Sequence, residues 1–509
     1  MLTSLPVELI LKVFALLDWR TILVCREVFF RSILEGERAQ YDIELAVSGM
    51  VDGPPSPFTT SDRLALLKER NAAWGSLRWV ESQDIPMMQG HIWELYGDVF
   101  AQSSTPNVLH FRQLPSRYRK IEEKTWRVAL DIHVRDFTMD PAQDLLVLIE
   151  EPASLPNTGN VTTRSIRVHL RSLITGDRHR LAPQPAILVH DLDAQNVRVA
   201  YTLQVCDNLL GILLTHPELD ADPEITIWDW TTGQVILACF SSEIATFAFL
   251  SSRFLLVGSV FDPEAINIQA RLYVFDMTQP SSKKFGLEAN YFCAFLWPEF
   301  DSWTNPLTFS IRSDPSPAWQ PNPEARPPFS TAPGDRLFIM TVSLENNGRI
   351  ASYDMFVSAN TLLSHIEALS TEVHSHEIKW DEWGPTGTRL MQSLSQPSPW
   401  VCYVFGTKFV SLVERTHTSP QTLEMRDFNQ LAMKRDAKVQ GGISHHVHDT
   451  TVIRKVFANE IHTSLPYRVV KCTLPPCSSP EPFFAAAMCS EDSLILVDSS
   501  YRHLRILTF

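Results

Sequence analysis

The chain has 509 residues, 44% of them hydrophobic and 20% charged, enough for one large domain with a small companion, or two to four domains, of a soluble globular protein. Its 58 acidic residues outweigh 44 basic ones, giving a formal charge of −14, which argues against a general binder of nucleic acid or anionic membrane, since phosphate binding needs clustered Lys and Arg. No run approaches the roughly 18 apolar residues of a membrane helix, and eight scattered cysteines read as reduced core thiols, so cytoplasm or nucleus is the expected setting.

The chain opens with a predicted group of short helices. Pro6 suits the first position of a helix, where no amide donor is needed, and Glu8 follows in the first turn, where its charge complements the dipole. Leu9, Ile10, Val13, Phe14 and Leu17 then form one apolar stripe at helical period. Glu8 and Lys12 interrupt this run and no basic segment precedes it, so it does not read as a signal sequence. Asp18 and Trp19 break the pattern; Thr21 caps a second helix with Ile22, Leu23 and Val24, and Phe29, Phe30, Ile33 and Leu34 mark a third. So short a segment rarely buries enough surface to stand alone, and part of its apolar face must meet another domain or another protein.

Leu5-Pro6-x-Glu8-Leu9-Ile10, Val13-Phe14, Leu17-Asp18, Ile22-Leu23 and Val24-Cys25-Arg26 resemble the F-box in order and spacing. The resemblance implies docking on a Skp-type adaptor and, through it, on a cullin. It also implies that Leu5, Pro6, Leu9, Ile10, Val13, Phe14, Leu17, Ile22, Leu23, Val24 and Cys25 form or support the adaptor face. The run Glu27-Val28-Phe29-Phe30 is shorter than the corresponding stretch of the family. Tyr41 to Ala46, Gly49-Met50, the Gly53-Pro54-Pro55 loop, Arg63 to Leu67 and Trp74 to Trp79 resemble the segment after the box in mushroom-type fungal F-box proteins. From the residues themselves, Ser61 is a candidate N-cap, and Leu64, Leu67 and Trp74 lie close to one helical face. Residues 1–40 are thus expected as F-box helices and 41–84 as a helical connector.

From about residue 85 the helix signals give way to short Val, Ile, Leu and Phe runs between turns, an all-β pattern with a loose internal repeat. Asp144–Ile149 is followed by Ser165–Leu170, Asn208–Leu213 by Ile225–Trp230, Arg253–Val257 by Arg271–Asp276, and Ser493–Val497 by His503–Leu507; Arg336–Met340 begins another unit. Each unit reads as two adjacent strands of a blade. The set resembles a degenerate WD-repeat β-propeller, with Ile227-Trp228-Asp229 and Thr232-Gly233 as the best match. The expected fold is therefore mainly β, an N-terminal α-helical F-box followed over 85–509 by a propeller of six to eight blades. An irregular β-sandwich is the alternative.

Residues 298–335, with Pro315, Pro317, Pro321, Pro323, Pro327 and Pro328, are expected to be a mobile or extended insertion between blades rather than a central strand. A polar stretch from Arg435 to Thr451 holds His445-His446-x-His448. Catalytic and metal motifs are weak. His374-x-His376-Glu377 has no second ligand pair, Cys472 and Cys477 lack zinc-knuckle spacing, and there is no P-loop, nucleophile elbow or dinucleotide fingerprint. Trp228 and Trp230 are expected on opposite sides of a strand and read as blade packing rather than a ligand platform. A propeller enzyme would need acidic or His residues converging in the central channel, and no such set is visible in the linear sequence. The expected function is a non-catalytic substrate receptor without cofactor or metal, with an unknown protein substrate. The alternative is a propeller scaffold whose N-terminal helices are only a structural cap.

Overall fold

The computed structural model describes residues 36–151, 164–192, 199–216, 221–260, 269–279, 284–322, 324–369, 375–393, 402–413, 420–436, 445–475 and 483–509. The three helices expected over 1–35, and every residue named for the adaptor face, lie outside the described residues.

Seven sheets, each built on four antiparallel strands, follow one another in the arrangement of a β-propeller. Blade 1 is Trp93–Tyr96, Val99–Thr105, Val108–Gln113 and Lys124–Ala129, and blade 2 is Val134–Asp140, Leu145–Glu150, Arg164–Ser172 and Ile187–Leu192. Blade 3 comprises Ala200–Cys206, Leu209–Thr215, Glu224–Asp229 and Gln234–Phe240, and blade 4 Ile244–Phe249, Phe254–Ser259, Arg271–Asp276 and Cys293–Leu296. Blade 5 holds Thr304–Arg312, Leu337–Asn346, Arg349–Ser358 and Thr388–Gln392, and blade 6 Val404–Phe405, Lys408–Val413, Thr422–Asp427 and Tyr467–Thr473. Blade 7 takes three strands from the end of the chain, Phe484–Cys489, Ser493–Asp498 and His503–Thr508, and its fourth, Glu81–Pro86, from before blade 1. That clasp runs antiparallel to its neighbour from Glu81↔Thr508 to Pro86↔His503, with Arg505 bidentate on Asp84 at 2.5 and 2.8 Å.

One backbone bond recurs in all seven blades. The N–H of the residue after the third strand donates to the C=O of the residue before the second: Leu114 to Asp98, Leu173 to Asp144, Trp230 to Asn208, Met277 to Arg253, Ala359 to Arg336, Phe428 to Thr407 and Phe509 to Asp492, all at 2.8–3.0 Å. The WD-like Asp229 belongs to this device. Its Oδ1 accepts from Thr231 N (2.9 Å), an Asx turn, and its Oδ2 from Asn208 Nδ2 (2.8 Å). Asp276 accepts from Thr278 N (3.0 Å) and Arg253 Nη2 (2.6 Å), and Asp427 from Asn429 N (3.1 Å) and Thr407 Oγ1 (2.7 Å). In blade 2 the partners are exchanged: Ser172 Oγ donates to Asp144 Oδ2 at 2.6 Å.

Period-2 strands buried on both faces build the cores between successive blades. Trp228 and Trp230, two residues apart, share a face rather than standing on opposite sides, and pack with Val147, Val168 and Leu188 between blades 2 and 3. Gly211 in blade 3 leaves room for a neighbouring ring: a Cβ there would stand 2.6 Å from Phe247.

The span 298–335 corrects one expectation. Thr304–Arg312 inside it is the innermost strand of blade 5, and Pro306 is tolerated because the pairing shifts register between Pro306 and Thr308. The insertion proper lies between this strand and the next of the same blade. It is packed: Trp319 and Phe329 are buried, and Phe329–Thr331 pairs with Met50–Asp52.

Candidate functional site

Two helices lie across the face formed by the turns between first and second strands. Helix α1, Glu37–Ser48, ends at Gly49, whose left-handed φ of 66° suits glycine. Helix α2, Thr60–Gly75, starts two residues earlier than Ser61 suggested, because Thr59 and Asp62 form a reciprocal capping box: Asp62 N donates to Thr59 Oγ1 (3.2 Å) and Thr59 N to Asp62 Oδ2 (2.9 Å). The helices are fastened to the ring at separate points. Asn429 Nδ2 donates to Val47 O (2.9 Å), Arg435 pairs with Glu44 (2.8 Å), and Trp74 stacks on Phe509 with ring centroids 4.1 Å apart. The chain then passes from α2 directly into the clasp strand, with Val80 N bonded to Thr508 O at 2.8 Å.

A fully buried ion-pair network joins α2, blade 1 and blade 7. Asp492 accepts from Arg70 Nε (2.6 Å), Ser116 Oγ (2.6 Å) and Arg119 Nε. Arg119 also pairs with Asp98 and, at 2.9 Å, with Glu491; Arg70 Nη2 donates to Glu491 O (2.6 Å). Thr331 of the insertion donates its N–H (2.6 Å) and its hydroxyl (2.9 Å) to Glu491 Oε1. Three carboxyls face two guanidiniums, so one acid is surplus. Burial and the neighbouring acids push Glu491 up despite Arg119; against the same burial, Arg119 and Arg70 hold Asp492 below the usual carboxylate range.

The insertion closes the central channel on this same face. It leaves blade 5 at Arg312; Asp314 O accepts from Gly406 N beside blade 6 (2.7 Å), and Ser316 N donates to Tyr96 Oη of blade 1 (3.3 Å). Ala318 packs on the core between blades 3 and 4, and a Cβ on Gly97 would stand 2.9 Å from Trp319 Nε1. A segment that starts in blade 5 and touches elements on opposite sides of the ring crosses its axis. Arg336 pins the crossing from below, donating to Pro315 O (3.1 Å) and to Leu250 O (2.7 Å). A cavity of about 10 Å³, near the size of one water, remains beside Leu95, Asp314, Cys402 and Ser490.

Above this plug the inner strands bring together Glu94 of blade 1, Asp136 of blade 2, Arg312 of blade 5 and Asp314 of the crossing segment. All four are half-buried. Burial first, then the charges of Asp136 and Asp314, pushes Glu94 up to about 8, with Arg312 opposing. Burial likewise raises Asp136 and Asp314 to about 6. The set that was invisible in linear sequence therefore exists: at neutral pH Glu94 is a proton-bearing acid among carboxylates. Its three acids are 42 to 220 residues apart, and the only local signal is an acid within a short apolar inner strand, as in Trp93–Tyr96.

Of the other sequence candidates, His376 lies in an added strand, His376–Ile378, that runs parallel to the outer edge of blade 4; His374 is outside the described residues. His445–Val447 is an added outermost strand of blade 6. Cys472 is half-buried in the fourth strand of that blade, and Cys477 is outside the described residues. Among the described residues no group of three or more His, Cys, Asp or Glu is placed to hold a metal ion, and no helix is long and apolar enough to cross a membrane.

No protein-family model and no curated protein matches this chain. Among solved structures it is similar to Drosophila semaphorin 2a, at 9% identity over 84% of this chain and 75% of that one, with a TM-score of 0.35. It is also similar to the uncharacterized protein lmo1340 of Listeria monocytogenes EGD-e (8% identity, 69% of this chain and 96% of that one, TM-score 0.28). Cobalt-substituted Synechocystis apocarotenoid oxygenase matches at 11% identity over 62% of this chain and 65% of that one, again with a TM-score of 0.28.

Proposed function

We propose that this chain is the substrate-recognition subunit of a Skp–cullin–F-box type ubiquitin ligase, a protein-binding propeller that brings a protein substrate to the catalytic subunits. The F-box-like order of Leu5 to Arg26 supports the reading, and the observation that carries it is the mount behind that segment. Helices α1 and α2 are locked to the ring by the Arg70–Asp492 pair, the Trp74 stack and the clasp strand. An adaptor held by residues 1–35 would thus stand at a fixed reach from whatever the propeller binds, and proximity is the contribution this subunit makes. Helix α1 begins on the plugged face with Glu37 and Arg38 exposed, which leaves the opposite face, built from the turns between second and third strands, for the substrate.

The test is capture of the purified full-length chain by a purified Skp-type adaptor. Leu9→Asp should abolish it, because burying an unpaired charge in an apolar contact costs several kcal/mol. Capture that survives Leu9→Asp sinks the assignment of that helix. No capture of the unaltered chain leaves a propeller scaffold with a helical cap.

A further inference from the structure

Blade 6 presents a built polar cleft toward blade 5 that the receptor reading does not use. It measures about 520 Å³, within the range of small-ligand and peptide pockets, and is lined by Glu424, Arg426, His445, Val447, Tyr467, Val469 and Lys471. Sheet register explains why these side chains meet. Phe409, Arg426, Val469 and His445 lie opposite one another across four strands, and Ser411, Glu424 and Lys471 form the next row on the same face.

Arg426 and Glu424 are the foundation, both at least nine-tenths buried. Arg426 Nε donates to Glu424 Oε1 (2.7 Å), and Lys471 Nζ stands 2.7 Å from Glu424 Oε2, so the one acid in the cleft is already neutralised from both sides. The Arg426 guanidinium lies 5.7–5.9 Å from the ring centroids of Phe356, Phe409 and Tyr467, and its Nη1 meets Met391 Sδ, which fixes its plane. Nη2 has no partner among the described residues. Ser411 is 8% exposed, and its hydroxyl, directly opposite Glu424, has no hydrogen-bond partner. A buried orphan hydroxyl beside a rigid, half-committed guanidinium is what a site looks like before its ligand arrives.

We propose that this cleft binds an extended peptide segment carrying an Asp or Glu side chain next to an apolar one. The carboxylate would take the free edge of Arg426 with Lys471 and His445 beside it, and the apolar neighbour would rest on Tyr467, Val447 and Val469. Charge favours an anion of low charge: Arg426 and Lys471 minus Glu424 leave one positive charge in the cleft lining, the buried Asp354 of blade 5 also feels Arg426, and a phosphate dianion would face the Glu424 carboxylate. An extended backbone fits because His445–Val447 is the outermost strand of its sheet, and its second edge pairs with no other described strand. The proposal is independent of the adaptor reading, since nothing in the cleft involves residues 1–35.

The test uses the full-length chain and a fluorescein-labelled peptide of alternating Val and Glu, with anisotropy as the readout. Saturable binding is expected, lost when Lys replaces every Glu of the peptide and weakened tenfold or more by Lys471→Glu and measurably by Lys471→Ala; Lys471 is exposed and Lys471→Ala leaves Glu424 paired with Arg426, while a melting curve for Lys471→Glu, which sets a second carboxylate beside Glu424, separates lost binding from lost fold. A benzophenone in place of the central Val should cross-link to residues 445–471. Absence of saturable binding, equal affinity in both Lys471 variants, a cross-link elsewhere, or tenfold preference for phosphoserine over Glu would each overturn the proposal. Leu9→Asp should leave peptide binding unchanged, which separates this result from the adaptor test.

Discussion

Asp492→Asn tests the buried network at its most consequential point. The substitution keeps shape but removes the charge that binds Arg70 and Arg119, both at most 2% exposed. Breaking a buried ion pair from one side costs about 3–5 kcal/mol, because the partner charges remain without compensation. At about 2.1 cal/mol/K of unfolding entropy per residue, a propeller of roughly 400 residues changes by nearly 1 kcal/mol per degree, so Tm should fall by about 4–6 °C. The adjacent Glu491 is the internal control. It is as deeply buried, but burial pushes it up to about 7, so at pH 7 it carries only part of a charge, and Glu491→Gln should cost less than Asp492→Asn, about 1–2 kcal/mol, mostly in polar contacts. Scanning calorimetry on both variants at pH 7 decides the matter. Equal losses, or a larger loss for Glu491→Gln, would refute the assignment of the charge to Asp492.

The channel acids carry the opposite pH signature. Their folded values lie above the ordinary carboxylate range, so the stability they contribute is fully present below about pH 4 and is lost as pH rises through 6 to 8. Glu94→Gln should flatten that decline and raise stability at pH 8.5 by about 2 kcal/mol, less than the full shift implies because the half-buried group is partly screened; a pH series of denaturation midpoints measures it. Trp74→Ala removes the stack on Phe509 and should cost about 3–5 kcal/mol, with faster proteolysis between α1 and α2 than in the unaltered chain. Gly211→Ala forces a Cβ to 2.6 Å from Phe247 and should cost about 1–3 kcal/mol by overpacking; an unchanged melting point would show that the ring yields freely.

Second and third strands were the legible part of the fold. Leu145–Glu150, Leu209–Thr215, Phe254–Ser259 and Ser493–Asp498 are buried along almost their whole length, so their sequences are apolar runs bounded by turns. Outer strands were harder, because they face water: Glu81–Pro86 reads Glu-Ser-Gln-Asp-Ile-Pro with one buried residue, and nothing local says that it pairs more than 400 positions away. The prolines of 313–328 correctly marked a segment outside the ladders, but no local pattern says that such a segment crosses a channel. The acids on the channel floor were hidden for the same reason. Glu94, Asp136 and Asp314 are ordinary residues until three elements converge, whereas Asp229 was visible because its turn chemistry is written within four residues.

Residues 37–86 form one continuous path from platform to clasp, so mount and ring closure are not separable. A force on Glu37 passes through α1 to blade 6 by way of Asn429 and Arg435, and through α2 to blades 1 and 7 by way of Arg70. The path then enters the clasp strand, which pairs along its whole length with His503–Thr508. The same face is sealed by the segment after Arg312, whose continuation, Phe329–Thr331, pairs with the platform strand Met50–Asp52 and bonds to Glu491. Platform, plug and clasp therefore brace one another on one side of the ring, with the carboxyl groups of Glu94, Asp136 and Asp314 gathered behind the plug.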